Sequence, residues 1–316
     1  MGVIEKILST KGKTAFSFEL LPPLKGNGIE TVYRTIDTLL EFDPKYINIT
    51  THRSELVYRE KADGLFDRVA ERHRPGTVAI AAAIQHKYNI PVVPHIICSG
   101  FTKEETEYVL IDLQLLGIND LLLLRGDKGK HEKEFSPTGN KFATELQEQV
   151  NKFNNGYFLD GNKMKFEVKP FSYGMACYPE KHEEAPNLES DLLFAKMKVD
   201  NGAEYLVTQM FFDNQKYYDF VDKCRNIGIN VPIIPGLKPI TLKNQMTVLP
   251  KIFHTDIPEA FAADLRKCKT DEEAVEVGVE WCTQQAKDLI KHGVPSIHFY
   301  SMMATQSVKR VAENVY

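Results

Sequence analysis

Eight times along the chain a short apolar run, rich in β-branched or aromatic residues, leads into a helical pattern. No other feature constrains the fold so strongly. The runs cover residues 14–20, 46–50, 92–98, 120–124, 170–177, 204–209, 231–234 and 296–300. Runs of this length that precede helical periodicity read as strands. Strands that alternate with helices become parallel neighbours, because a parallel pair needs a crossover connection. Eight such units predict an α/β chain folded as a single (β/α)8 TIM barrel, with residues 1–316 as one barrel domain. The runner-up is a doubly wound open sheet, which usually carries a Gly-rich dinucleotide turn after an early strand. Here Gly26-Asn27-Gly28 follows the first run without the third glycine, and no G-x-x-x-x-G-K-[ST] phosphate loop occurs.

The intervening helices carry their own punctuation. Ile29, Val32, Ile36, Leu39 and Leu40 share a face. Thr102 with Glu105, and Thr270 with Glu273, read as capping boxes. Asn187 and Asp213 read as N-caps, and Gly117, Gly202, Gly228 and Gly293 as stops. The long connection over residues 53–90 is expected to hold more than one helix.

Charge and composition narrow the partners. Lys plus Arg is 39 against 43 for Asp plus Glu, a net −4, so no cationic excess exists to pair with nucleic-acid phosphates. At 43% hydrophobic residues the chain has enough apolar surface to fold. Its longest nearly apolar run, residues 78–84, is far below the roughly 20 residues a membrane-spanning helix needs. The N-terminus shows no secretory pattern. Cys98, Cys177, Cys224, Cys268 and Cys282 are scattered, with no C-x-x-C, which argues against a disulfide framework and a zinc site. No histidine pair has metal-ligand spacing, so no metal is expected. These features together predict a cytoplasmic protein.

Barrel active sites lie at the C-terminal ends of the strands. In Phe16-Ser17-Phe18-Glu19, alternation puts Glu19 on the face of Ser17, opposite Phe16 and Phe18. If the phenylalanines pack under the helices, Glu19 points into the barrel mouth. A poorly solvated carboxyl there suits a general acid, and spacing alone leaves a structural ion pair equally open. The four-leucine run 121–124 ends in Arg125-Gly126-Asp127, two charges and a flexible turn at the rim, suited to an anionic group. Tyr178 and His182 follow the fifth run, and Gln209, donor and acceptor in one side chain, ends the sixth. His95, among apolar residues, reads on its own as a satisfied core histidine.

Taken in order, these strand ends resemble the methylenetetrahydrofolate reductase family. The matching segments are Ser17-Phe18-Glu19-Leu20-Leu21-Pro22-Pro23, Pro94-His95-Ile96-Ile97-Cys98, Leu124-Arg125-Gly126-Asp127 and Tyr178-Pro179-Glu180-Lys181-His182. They continue through Asp191-Leu192-Leu193, Lys196 to Lys198, Asn201-Gly202-Ala203, Thr208-Gln209-Met210-Phe211-Phe212-Asp213, Pro235-Gly236-Leu237-Lys238-Pro239-Ile240 and His298-Phe299-Tyr300. The resemblance implies a flavin-dependent barrel using FAD. NAD(P)H would reduce the flavin, and the reduced flavin would pass the hydride to 5,10-methylenetetrahydrofolate in a ping-pong scheme, giving 5-methyltetrahydrofolate for methionine synthesis. It implies Glu19 as the general acid and Asp127 as the group that tunes the flavin. It assigns FAD binding to Thr50, His95, Arg125, Gly126, Asp127, Ala143, Tyr178, His182, Asp191 and Lys198. It assigns substrate binding to Glu19, Gln209, Gln245 and Tyr300, and a homo-oligomer is expected.

The chain departs from the family pattern in places. Phe194 and Met197 stand where many bacterial members have Asn and Arg, and Ala304 where some have an Arg for the folate tail. Thr51 and His52 follow the second strand's threonine, where a tyrosine often stands, and Leu249 replaces an aromatic. An alternative reading is a non-catalytic folate- or flavin-binding barrel subunit of a methyl-transfer complex, and a third is a barrel flavoenzyme of the proline dehydrogenase kind. The length leaves no room for the C-terminal regulatory domain of longer members, so control by S-adenosylmethionine is not expected.

Overall fold

The computed structural model describes residues 2–127, 138–165, 167, 169–302 and 304–316. In chain order the strands are β1 (Ala15–Leu20), β2 (Tyr46–Ile49), β3 (Glu55–Glu60), β4 (Phe66–Glu71), β5 (Val92–Ile97), β6 (Asp120–Leu124), β7 (Ser172–Cys177), β8 (Tyr205–Thr208), β9 (Ile233–Ile234), β10 (Gly236–Leu237) and β11 (Ser296–Tyr300). The helices are α1 (Val3–Leu8), α2 (Glu30–Leu39), α3 (Thr77–Tyr88), α4 (Lys103–Leu115), α5 (Ala143–Asn154), α6 (Leu188–Asp200), α7 (Asn214–Asn226), α8 (Gln245–Phe253), α9 (Glu259–Lys267), α10 (Asp271–Lys291) and α11 (Thr305–Glu313). All eight predicted runs contain strand. The seventh holds β9, and a further short strand, β10, follows beyond it after Pro235, which has no N–H to continue a ladder. The main sheet runs β10-β11-β1-β2-β5-β6-β7-β8-β9, the α/β fold of a (β/α)8 barrel.

The connection 53–90 departs from expectation. It holds the antiparallel hairpin β3–β4 and one helix, α3, rather than several helices. The cause is local: Gly64 adopts φ +77°, Asp63 accepts from the Leu65 N–H at 3.1 Å, and the Lys61 N–H reaches the Leu65 carbonyl at 2.7 Å. Asp-Gly between two short runs is a hairpin signal.

The chain divides into two compact units. One comprises Met1–Leu20, Arg34–Ile47 and Tyr173–Tyr316. In it β1 pairs in parallel with β11, β11 with β10, β7 with β8 and β8 with β9. The outward face of β1 is aromatic: the Phe16 ring lies 5.8 Å from Phe42, 5.6 Å from Phe299 and 5.3 Å from Tyr316. That packing turns Ser17 and Glu19 to the opposite face. A second cluster gathers Met210, Phe212, Ile240, Leu249, Phe261 and Leu265. Trp281 stacks on Phe261 at 4.5 Å and donates its indole N–H to the Phe212 carbonyl at 3.0 Å.

The other unit comprises Leu21–Tyr33 and Asn48–Ser172. In it β5 pairs in parallel with β6, His95 facing Leu122. Ile80, Ala81 and Ile84 of α3, Leu110 and Leu113 of α4, and Leu146, Val150 and Phe153 of α5 are buried. The Thr102 box that starts α4 is complete: Thr102 accepts from the Glu105 N–H at 3.0 Å and Glu105 from the Thr102 N–H at 2.8 Å. Among the described residues no helix is long and apolar enough to cross a membrane.

Candidate active site

In the first unit, β1 carries Glu19 next to its end, 3% exposed. Two residues earlier, Ser17 shares its Oγ with His298 Nδ1 at 3.1 Å, and the register places Glu19 directly across from Tyr300 on β11. The Tyr300 hydroxyl donates to the Thr208 carbonyl at 2.6 Å. Gly236 makes this possible, since a Cβ there would lie 2.5 Å from Tyr300 Cε2 and 2.6 Å from the Thr208 carbonyl. The Gly236 N–H in turn donates to Thr208 Oγ1 at 2.9 Å, and Ser301 donates its hydroxyl to the Glu19 carbonyl. Burial pushes the Glu19 carboxyl up from 4.5 to about 7, and the nearby Lys238 ammonium pulls it back. Such a group holds a proton near neutrality and can release it.

A second group forms where β7 leads into α6. Tyr178 and His182 meet edge to face at 4.7 Å. The His182 N–H donates to Asp191 Oδ2 at 2.9 Å, and His182 Nδ1 accepts from the Glu184 N–H at 3.1 Å. Nδ1 therefore serves as the lone-pair nitrogen, leaving Nε2–H as the donor of the neutral ring. Burial lowers the imidazole's pKa, so that neutral form is favoured. Lys198 donates to the Ala176 carbonyl at 2.8 Å, with its ammonium 6.0 Å from the Tyr178 ring centre. Asp191 is buried in the first turn of α6, which Asn187 caps through the Ser190 N–H at 2.8 Å, and a carboxylate suits a helix N-terminus. Four of the predicted cofactor residues are thus brought together. The loop carrying Tyr178 and His182 is held by Glu180, a residue the sequence reading passed over. Its Oε2 accepts from Thr255 Oγ1 at 2.7 Å and the Asp256 N–H at 3.1 Å.

Gln209 and Gln245 lie on the same unit, half-buried. Each commits its carbonyl oxygen to backbone. Gln209 Oε1 accepts from the Met210 N–H at 2.9 Å, and Gln245 Oε1 from the N–H groups of Thr241 at 2.8 Å and Leu242 at 3.3 Å. Among the described residues the amide NH2 of each makes no hydrogen bond, and it remains to be offered to a ligand. Lys238, also missed, lies two residues beyond Gly236, 7% exposed. Burial lowers its ammonium pKa, and Glu19 opposes that.

The second unit carries the remaining predicted residues. Thr50 shares its hydroxyl with His52 Nε2 at 3.1 Å, and Thr51 donates to the His95 carbonyl at 2.5 Å. His95 is buried and its Nε2 finds no partner among the described residues, so it is not the satisfied core histidine of the sequence reading. Burial drives its pKa down from 6.5 to about 3, which keeps the ring neutral. The Arg125 carbonyl accepts from the Ser99 N–H at 3.1 Å, and Ser99 donates its hydroxyl to the Asp127 carbonyl at 2.5 Å. Gly126 between them adopts φ +73°, and a Cβ there would press on Ser99 Cβ at 3.2 Å and Ile97 Cβ at 3.3 Å. The Arg125 guanidinium donates through Nε to the Lys141 carbonyl at 3.1 Å and lies 5.1 Å from the Phe142 ring centre. Ala143 opens α5 just beyond, and Asp127 is exposed. Among the described residues no cluster of His, Cys, Asp or Glu has the arrangement to hold a metal ion.

Fold and strand-end chemistry define a (β/α)8-barrel protein with a protonatable carboxyl at the end of its first strand. The chain belongs to the methylenetetrahydrofolate reductase family, whose profile matches residues 3–316. It is 31% identical over its whole length to methylenetetrahydrofolate reductase (NADH) 1 of Arabidopsis thaliana. It is 29% identical, over 94% of its length and 89% of the relative's, to 5,10-methylenetetrahydrofolate reductase of Escherichia coli. The chain spans about half the length of the eukaryotic relatives it matches, 51% of the Arabidopsis protein. A solved structure from Clostridium thermocellum, titled an uncharacterized protein that binds two copies of 5-methyl-5,6,7,8-tetrahydrofolic acid, shares the fold. Its TM-score is 0.57 at 15% identity, over 99% of this chain and 98% of that one.

Proposed function

We propose that this chain is an FAD-dependent 5,10-methylenetetrahydrofolate reductase that takes its hydride from NAD(P)H and supplies 5-methyltetrahydrofolate for methionine synthesis. The observation that carries the reading is Glu19, a desolvated carboxyl poised near neutrality beside Tyr300 and Lys238. Reduction of the methylene bridge needs an acid. The proton of Glu19 passes to a bridge nitrogen, and the C–N bond breaks with its electron pair on that nitrogen. The carbon, left cationic, takes up a hydride and becomes the N-methyl group. The carboxylate then regains a proton from solvent.

The residues fit a flavin dinucleotide. The Nε2 of His95, without a partner among the described residues, and the His182 Nε2–H offer polar contacts, and Gly126 keeps a side chain out of a strand-end turn. Arg125 and Lys198 would hold the pyrophosphate, Asp191 a ribose or adenine-side hydroxyl, and Thr50, Ala143, Tyr178 and His182 the remainder. When bound, FAD supplies the centre that accepts the nicotinamide hydride and returns it to the folate. Asp127 would tune that centre electrostatically, while the amide NH2 groups of Gln209 and Gln245 would bind the acceptor edge of the pterin.

Anaerobic stopped-flow of the two half-reactions tests this reading. Bound flavin should bleach with NADH or NADPH and recover its colour with methylenetetrahydrofolate. Glu19→Gln should leave the first half-reaction within about threefold and slow the second by roughly 10²–10⁴. Failure of either nicotinamide to bleach the flavin overturns the reductase reading. Equal loss in both half-reactions overturns the role given to Glu19.

A further inference from the structure

Lys238 is buried, yet among the described residues its ammonium group makes no hydrogen bond and no ion pair at contact distance. Surface lysines rarely turn inward without a partner, because desolvating an ammonium is costly. The neighbouring strands show what lies around it. On β10, Gly236 faces His298 and Leu237 faces Phe299 of β11, while Tyr300 of β11 faces Glu19 of β1. Lys238 follows immediately after β10, one residue beyond the last pair of that register. A Cβ at Gly236 would press on the Tyr300 ring, and the Lys238 ammonium and the Glu19 carboxyl act on each other.

The other titratable groups around this point are tyrosines, cysteines and one histidine. Tyr300 is next to Glu19, and His298 below it is engaged with Ser17. Tyr46, Cys177 and Tyr178 act on Tyr300 rather than on the carboxyl, and Cys282 of α10 is near Lys238. Burial holds Tyr46, Tyr300, Cys177 and Cys282 protonated. Among the described residues, the one charge that acts on Glu19 is Lys238.

We propose that Lys238 is the counter-charge of Glu19, a positioning residue that stabilises the carboxylate once its proton has gone to the substrate. The ammonium keeps its own protons throughout, so it takes no part in the transfer. Its attraction for Glu19 exists only in the ionised state, after the proton has left, and a poorly solvated setting strengthens it. The pairing stands on the place of Lys238 directly after β10, two strands from Glu19, and on its burial. Its catalytic consequence rests on the reductase reading above.

The test titrates Glu19 directly. Full-length protein labelled with ¹³C at the glutamate carboxyls is followed by NMR from pH 5 to 9.5, with Glu19→Gln assigning the signal. Lys238→Met should raise the Glu19 midpoint by about one pH unit or more, and Lys238→Arg should restore it. Lys238→Gln serves as the second variant should the methionine protein fail to fold. In the folate half-reaction, the rate falls at high pH as Glu19 ionises. That descending limb should move upward with the midpoint, while the low-pH plateau drops roughly three- to tenfold because the acid has become weaker. An unmoved midpoint overturns the pairing. A midpoint that moves without the kinetic limb overturns its catalytic consequence. Flavin in the wild-type protein that reacts with neither substrate overturns the reductase reading, and the NMR midpoint still decides the pairing.

Discussion

Replacing Glu19 with glutamine removes a group that the fold holds at a cost, and the cost depends on pH. Burial raises its carboxyl from 4.5 to about 7. Below pH 4.5 the side chain is protonated whether the chain is folded or not, and it imposes no ionisation penalty. Between 4.5 and about 7 the unfolded chain releases the proton and the folded one keeps it, so stability falls as pH rises. At about 1.4 kcal/mol per pH unit, the loss by pH 8 is about 3 kcal/mol relative to pH 4. Glutamine carries no such dependence. Glu19→Gln should therefore gain about 3 kcal/mol on the wild type between pH 4 and pH 8. His95 works in the opposite direction: held neutral down to about 3, it destabilises the fold as pH falls below 6.5. That contribution is common to both proteins and cancels in the difference. Urea unfolding followed through the single tryptophan, Trp281, stacked on Phe261, gives the measurement. A stability difference that stays flat within about 0.5 kcal/mol across this range would refute the desolvated carboxyl.

Further outcomes follow from packing and burial. Gly278→Ala places a Cβ 2.0 Å from the Ile240 carbonyl oxygen, a backbone atom that cannot swing aside; unfolding should show a loss of about 2–4 kcal/mol, and a loss under 1 would contradict the contact. Tyr300→Phe deletes the donor to the Thr208 carbonyl and should lower stability by about 1–2 kcal/mol, measured by the same denaturation. Asp191→Asn weakens the link that holds the His182 backbone, so flavin affinity should fall while the Glu19 titration stays in place; unchanged flavin retention on dialysis would remove Asp191 from that role. All five cysteines are buried, and burial pushes Cys98, Cys224 and Cys282 up to about 12, so a thiol reagent at pH 8 should label the native protein far more slowly than the denatured one.

Strands are legible in this sequence because their cause is local. A run such as Leu121-Leu122-Leu123-Leu124 can be satisfied only by burial on both faces, and the structure buries the first three side chains almost completely. Alternation in β1 likewise identified Glu19, since aromatic packing of Phe16 leaves the next side chains one direction to take. The β3–β4 hairpin was missed for a different reason: its residues are half-buried or exposed, so no apolar periodicity announces it, and only Asp63-Gly64 marks the turn.

Lys238 marks where local reasoning ends. Read along the chain it is a lysine after a glycine turn, and nothing nearby says that it is buried. Its meaning comes from strand order, β10 beside β11 and β11 beside β1, which brings residues more than 200 positions apart into neighbouring strands. Gln209 and Gln245 make the same point from the other side. Sequence offers each as donor and acceptor, and the fold engages the acceptor oxygen with backbone N–H groups. Residue type sets what chemistry a position has available. Backbone hydrogen bonding and strand order then decide how much of it faces a ligand, so the Glu19 carboxyl is legible in the sequence and the buried Lys238 beside its strand is not.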